Sequence, residues 1–251
     1  MNCPMDKEYE HKYYESEKKN WWFVARRHAV LKLVSWYDKQ VKILDVGCGG
    51  GSLINELISN GFQNVYGLDF SAEAVEVCKD RGIKNVYQMD GQNPGFDEEI
   101  FDIIIASDVI EHLENDVLAL KNFYRILKKN GTLFVFVPAY KFLWTNFDEV
   151  NHHYRRYSRS ELMKKLREAN FYIDKTSFWN FTMFFPAFFM QIVKRVFKTE
   201  SSALKQNMLL NSSASPVNKL LISLLKFENI FFKLLGLPIG MSLFVSAIKK
   251  K

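Results

Sequence analysis

Two kinds of apolar patterning alternate along most of this chain. Short runs rich in β-branched residues predict strands near 41–46, 64–69, 84–88, 101–106 and 131–137. Between them, apolar positions recur every three to four residues and predict helices near 24–37, 52–60, 72–81 and 115–128. Strands and helices in strict alternation imply an α/β fold, a parallel sheet wrapped by helices on both faces. Leucines at helical spacing add a helix over Arg159–Ala169, FYIDKTSFW from Phe171 reads as a sixth strand, and MSLFVSAIKKK at the end reads as a seventh.

The alternation breaks between residues 179 and 239. FWNFTMFFPAFFMQIVKRVFK, Phe178 to Lys198, is crowded with aromatics, yet it is near the lower length limit for crossing a bilayer and contains Asn180, Pro186 and Gln191. Two uses fit it. The rings can bury at a membrane interface while Lys194, Arg195 and Lys198 meet anionic lipid, or the segment can be a hydrophobic lid packed on a second helix, Pro216 to Leu235. The polar stretch Thr199 to Ser215 between them reads as a mobile loop able to act as a hinge. The chain thus divides into an N-terminal helical cover (1–40), a core (41–178 and 240–251) and an apolar helical insertion or lid (179–239).

At 251 residues the chain suits one decorated domain, and its 48% apolar content can build a sizeable core. Cys3, Cys48 and Cys78 are odd in number and lack metal-ligand spacing, so neither disulfides nor a metal is expected and the compartment is reducing. The N-terminus has no basic region followed by an apolar core, so no signal peptide is read there. These features predict a cytoplasmic protein with room for contact at the inner face of the membrane. The net charge of +6 is spread along the chain rather than gathered with aromatics, which argues against nucleic acid as a partner.

The chemistry is concentrated in ILDVGCGGGSL, Ile43 to Leu53, and YGLDFS, Tyr66 to Ser71. Gly47, Gly49, Gly50 and Gly51 remove side chains where a strand turns into a helix, whose unpaired amides and positive dipole end face the same space. Asp69, eighteen positions after Gly51, ends the next strand, where a carboxylate can accept both hydroxyls of a ribose. A dinucleotide fingerprint needs a third glycine. Counting from Gly47 that place holds Ser52, and counting from Gly49 it holds Ile54. Asp45 would also repel a pyrophosphate, whereas it would welcome an ammonium group. S-adenosylmethionine carries that group and no phosphate, which leaves a nicotinamide-dependent oxidoreductase as the less favoured reading.

With these motifs the chain resembles the class I S-adenosylmethionine-dependent methyltransferases. DVGCGGG from Asp45 is similar to the family's glycine-rich first motif, which implies that Asp45, Gly47 and Gly49 line the methionine end of the cofactor, with Cys48 a small residue beside it. The resemblance puts Asp69 on the ribose, Phe70 near the adenine, and Asp90 and Gly91 of QMDGQN at the adenine edge. FDIIIASDVIEHL is similar to the fourth motif, with Ser107 at the strand end and Val109, Glu111 and His112 in the loop after it. GTLFVFVP, Gly131 to Pro138, looks like the next strand, and the family's antiparallel seventh strand would be the C-terminal run.

Two segments bear on the methyl acceptor. NWWFVARRHAV places Trp22 and Arg26 at an entry helix of the kind that covers the cleft, or else Trp21 and Trp22 are packing anchors. FDEVNHHYRRYSRSEL resembles a signature of methyltransferases encoded with cell-envelope glycan and lipid genes and of their quinone-modifying relatives, and His153, Arg156 and Tyr157 fall on it. An imidazole titrates near neutrality, so His153 is the candidate general base, with His112 its competitor. The expected activity is methyl transfer to oxygen or carbon of an apolar small molecule, a quinol, a phenol or a lipid-carried sugar. A noncatalytic nucleoside-binding protein is the remaining alternative.

Overall fold

A computed structural model describes residues 14–197 and 215–250. Among the described residues the apolar runs become seven strands: β1 (Lys42–Val46), β2 (Asn64–Asp69), β3 (Val86–Gln88), β4 (Phe101–Ser107), β5 (Leu127–Pro138), β6 (Tyr172–Trp179) and β7 (Ser242–Ile248). They form one sheet in the order 3-2-1-4-5-7-6. β1 to β5 run parallel, and β7 is antiparallel to both β5 and β6. β1 and β4 are buried along nearly their whole length because helices cover both faces, which is why they read as continuous apolar runs.

The helices that surround the sheet include α1 (Trp21–Val34), α2 (Ser52–Ser59), α3 (Ala72–Asp80), α4 (Asp116–Ile126), the short α5 (Asn146–Val150), α6 (Arg159–Glu168), α7 (Phe184–Phe197) and α8 (Pro216–Leu235). Residues 14–19 are also helical. Polar side chains start several of them. Ser71, Asn115, Ser158 and Ser215 accept from the amides of Ala74, Leu118, Glu161 and Asn218. Leu44, Phe123, Val135 and Val245 belong to the apolar layer on one face, and Ile43, Ile54, Phe136, Trp179 and Phe244 to that on the other.

The boundaries moved in two places. The first long helix begins at Trp21, not near Val24, because Asn20 caps it by accepting from the Trp22 amide, and it ends at Val34. β5 begins at Leu127, four residues before the expected strand, since Leu127 already pairs with Phe101 before the register shifts. The buried Lys249 supports that early start by donating to Leu127 O at 2.8 Å.

The run between β6 and β7 contains α7 and α8. α8 packs on α1 through polar residues on its inner face: Asn229 accepts from Trp179 Nε1 and donates to Ala25 O, both at 2.8 Å. Glu228 receives the Phe181 and Thr182 amides at the approach to α7. α7 rests instead on the turn Lys141–Leu143, with Phe188 against Phe142 and Gln191 donating to Trp144 O. Among the described residues no helix is long and apolar enough to cross a membrane. The expected hinge lies at residues 199–214, outside the described residues, as do Cys3 and Lys198.

Candidate functional site

The carboxyl ends of β1, β2 and β4 meet at one edge of the sheet, in register through Asp45↔Gly67 and Asp45↔Ile105. There the glycine loop leaves β1 and is stitched to β2, since the Gly47 and Cys48 amides donate to Leu68 O at 2.8 and 3.1 Å. Gly47 has φ +67°, and a Cβ on it would stand 2.6 Å from Val109 Cγ2. The loop therefore presses on the segment after β4, and no side chain fits between them.

Asp69 closes the other side. Its Oδ2 accepts from the Gly49 amide and its Oδ1 from the Ser71 amide, both at 2.9 Å. Each carboxylate oxygen keeps a further lone pair, so a ribose hydroxyl can be received without breaking the loop. Burial pushes the Asp69 carboxyl up despite these donors. Asp45 is 4% exposed. Burial first, then the neighbouring Glu17 and the groups Cys78 and Asp69, hold its carboxyl well above the usual range.

Phe70 stands just beyond β2, 61% exposed, where it offers a free aromatic face. Asp90 is exposed and accepts from the Gln92 amide, while Gly91 is buried against Val46 and Leu113. Cys48 is a buried free thiol whose pKa its neighbour Cys78 and burial push well up, which fits a packing residue rather than a nucleophile. Ser107 ends β4 and points its hydroxyl at Asp108 Oδ2, 3.4 Å away. The donor set is right for a nucleoside bearing an ammonium group: a side-chain-free cradle, carboxylates and no basic residue at the loop's first glycine.

Two loops build the facing half of the cleft. The first, after β4, carries Asp108 to His112; the second, after β5, carries Asp148 to Tyr157, and the Tyr154 amide joins them by donating to Glu111 O at 2.8 Å. Asp148 is fully buried. Its Oδ1 accepts from His153 Nδ1 at 2.9 Å and Arg156 Nε at 2.7 Å, and its Oδ2 from Arg156 Nη2 and the Thr145 amide. Burial opposes ionisation here, yet the His153, Arg156 and Thr145 donors outweigh it and hold the carboxyl far below the ordinary range. An ionised Asp148 requires a proton on His153 Nδ1, so neutral His153 keeps its lone pair on Nε2.

The His153 ring meets His112 edge to face, centroids 4.5 Å apart. Burial and the neighbouring His153 lower the His112 pKa to about 4, so His112 is neutral at physiological pH. Glu111 is fully buried, and neither carboxylate oxygen has a hydrogen-bond partner. Burial and then Asp108 raise its carboxyl well above the usual range. Glu111, His112 and His153 bring one ligand atom each within 4.8 Å of one another, a spacing able to hold a cation that the sequence reading had not anticipated.

The four residues expected at the acceptor differ in placement. Arg26 is buried, with its guanidinium 3.9 Å over Trp179 and 4.3 Å over Phe136, donating to Ser242 Oγ at 2.6 Å and to Asp108 at 3.3 Å. Trp22 packs edge to face on Trp179 at 5.1 Å, the anchoring alternative in the sequence reading. Arg156 is occupied by Asp148. Tyr157 is turned inward, its hydroxyl donating to Asp116 at 2.8 Å, and burial followed by Asp116 raises its pKa far above the usual phenol. Arg156 and Tyr157 thus hold the loop that carries His153. Asp148 escaped the sequence reading as a functional residue; its only trace was an acidic position five residues before His153.

Residues 44–135 match the family described as a methyltransferase domain. The chain is 35% identical over 101 residues to the ubiquinone biosynthesis O-methyltransferase of Pelagibacter ubique, covering 39% of this chain and 42% of that protein. It spans about half the length of the curated relatives it matches. Among solved structures, phosphoethanolamine N-methyltransferase 2 of Haemonchus contortus, in complex with S-adenosyl-L-methionine, superposes with a TM-score of 0.56 at 19% identity, covering 89% of this chain and 52% of that one. The [4+2]-cyclase SpnF gives 0.58 at 18% identity, covering 90% and 81%. A cyclase and an N-methyltransferase on one fold show that the fold does not choose the reaction. The reversed β7, inserted between β5 and β6, separates this sheet from the all-parallel dinucleotide-binding order 3-2-1-4-5-6. The sheet thus has the order of the class I S-adenosylmethionine-dependent methyltransferases, and residues 44–135 within it match a methyltransferase domain.

Proposed function

We propose that this protein methylates an oxygen of a small apolar acceptor of the quinol or phenol type, with S-adenosylmethionine as donor and S-adenosylhomocysteine as product. The observation that carries the reading is His153, held by Asp148 through Nδ1 at 2.9 Å with Nε2 left to receive a proton. When bound, the cofactor supplies a methyl group already activated on sulfur. The chain then has to bind, orient and deprotonate. Asp45, Gly47, Cys48, Gly49, Asp69, Phe70, Asp90, Gly91 and Ser107 would line the cofactor's bed. Such positioning can supply about 7–11 kcal/mol of the barrier. His153 Nε2 would receive the proton of the acceptor hydroxyl, while the bound cofactor would give up its methyl group from sulfur and leave as S-adenosylhomocysteine.

The names of the relatives support a quinol over a lipid-carried sugar. The failed third glycine and the reversed β7 speak against a nicotinamide-dependent oxidoreductase. Exposed apolar side chains on α7 support collection of the acceptor from a membrane surface by peripheral contact. They include Phe185, Phe189 at 66% exposure, Ile192 and Phe197 at 71%.

A second reading comes from the unpartnered Glu111 beside His112 and His153. A divalent cation held by these three would acidify the acceptor hydroxyl from the same side. The test is methyl transfer from labelled S-adenosylmethionine to short-chain prenylated catechols and quinols, with and without EDTA. Turnover that survives the chelator and fails in His153→Ala supports the base; loss restored by magnesium or zinc assigns the step to a cation. No turnover on any hydroxylated acceptor, with the cofactor bound, would sink the enzyme reading and favour a noncatalytic nucleoside-binding protein.

A further inference from the structure

Helical residues 14–19 lie across the glycine loop. Tyr14 packs on Gly50, and a Cβ on Gly49 would stand 3.1 Å from Glu17 Oε1. The segment is fastened from two sides. Arg27 donates to Glu17 O at 2.7 Å while pairing with Glu56 at 2.6 Å, and Arg81 donates to Gly50 O while pairing with Glu15 at 3.1 Å. Backbone contacts thus set where the Glu17 side chain goes. Its Oε2 is buried with no hydrogen-bond partner.

A buried carboxylate oxygen without a donor is costly, and two more carboxyl groups, Asp45 and Asp69, border the same loop. Burial, outweighing the attraction of Arg27, raises the Glu17 carboxyl to about 7. A compact cation with several N–H donors would satisfy this arrangement. We propose that Glu17 is a ligand of the α-ammonium group of the cofactor's methionine half, and that residues 14–19 form the cover over that half. The inference rests on the cofactor reading above and adds a residue outside the matched methyltransferase domain. The cover thereby brings negative charge to a cationic group.

The test is calorimetric titration of the full chain with S-adenosylhomocysteine and with 5′-methylthioadenosine, which lacks the amino-acid half. Glu17→Gln keeps the shape and removes the charge. It is expected to weaken S-adenosylhomocysteine about tenfold to a hundredfold, the worth of a charged hydrogen bond, while 5′-methylthioadenosine changes by less than about twofold. Retained 5′-methylthioadenosine binding also reports that the pocket is folded. The groups facing Glu17 are Arg27 of α1, Asp45 of β1, Asp69 of β2, Cys78 of α3, Arg81 and the Gly50 amide. S-adenosylhomocysteine should therefore bind wild type more tightly at pH 8 than at pH 6, and Glu17→Gln should flatten that slope. A slope that persists in the variant belongs to Asp45 and overturns the assignment, as does an equal loss of both ligands or of neither. A folded wild type that binds neither ligand overturns the cofactor reading itself.

Discussion

The two halves of the cleft are built by opposite means. On the glycine-loop side the groups that would face a cofactor are mostly backbone amides and bare glycines from one continuous strand–loop–helix–strand unit, and Asp69 at its end is held by the Gly49 and Ser71 amides. On the acceptor side the groups are side chains from two separate loops, joined by the Tyr154–Glu111 bond and anchored on one buried carboxylate, Asp148. Backbone recognition tolerates change at neighbouring side chains, whereas a side-chain cluster concentrates its function in single residues. Point substitutions on the acceptor side should therefore act on turnover, and those at the carboxylates of the glycine-loop side on affinity.

His153→Ala is the sharpest way to break that contrast. Loss of a general base lowers turnover by about 10²–10⁴, and because the described contacts of His153 are with Asp148, His112 and Phe147, S-adenosylhomocysteine affinity should stay within about twofold. Single-turnover kinetics beside calorimetry check both numbers. Parallel losses would make His153 a packing residue and erase the division between the halves.

Asp69→Ala tests the other half. Its carboxylate receives the Gly49 and Ser71 amides and would receive two ribose hydroxyls, so removal should weaken S-adenosylhomocysteine by about a hundredfold. The melting temperature should fall only slightly, since both amides it frees lie at the rim of the cleft. Unchanged affinity would mean that the ligand does not reach the end of β2.

How much of this was legible follows the same divide. Gly47, Gly49 and Asp69 stand in one short stretch, and their spacing alone specifies a turn, a helix start and a carboxylate at a strand end. The strands themselves were also legible, because buried parallel strands show as unbroken apolar runs, whereas the reversed β7 was expected only from the family resemblance. Glu111, Asp148 and Glu17 were not seen as functional. Each becomes so only through contacts that the fold makes: the approach of His153 for Glu111, the hydrogen bonds of His153 and Arg156 for Asp148, the glycine loop for Glu17. Tyr157 went the other way. It was read as facing the acceptor, but its hydroxyl is spent on Asp116. The choice between lid and interface for the Phe178–Lys198 segment was open for the same reason, because a 3.6-residue period marks an apolar face without saying what covers it.

Asp148→Asn should lower turnover by about tenfold, less than loss of the imidazole, since an amide can still meet His153 while no longer fixing its tautomer. ¹⁵N imidazole shifts read that directly: wild type should show the Nδ1–H form, and the variant a mixture. The pH dependence has a definite sign. The Asp148 carboxyl is held below its ordinary value, so its contribution to stability is complete above the usual carboxylate range and is lost as pH falls through and below it. Wild type should lose more stability than the variant on going from pH 6 to pH 3. Identical acid unfolding of the two would remove Asp148 from the ionised state argued for it.

The smallest effect belongs to α7. Phe185 and Phe189 are 51% and 66% exposed, so replacing both with Ser removes little buried surface and should change unfolding free energy by no more than about 0.5 kcal/mol each. Cofactor affinity should not move, and turnover on a water-soluble catechol should match wild type, since neither ring touches the Asp148–His153 cluster in the contacts described. What should change is partition onto vesicles containing anionic lipid. Two Phe rings leaving an interface forfeit apolar burial worth up to about 1.5–3 kcal/mol each when complete, and partial insertion would still be seen as a several-fold fall in sedimented protein. Turnover on a long-chain prenylated acceptor presented in those vesicles should fall with it. If vesicle partition is unchanged while stability drops by several kcal/mol, these rings are covered by protein rather than by lipid, and α7 is a lid that belongs to the folded core.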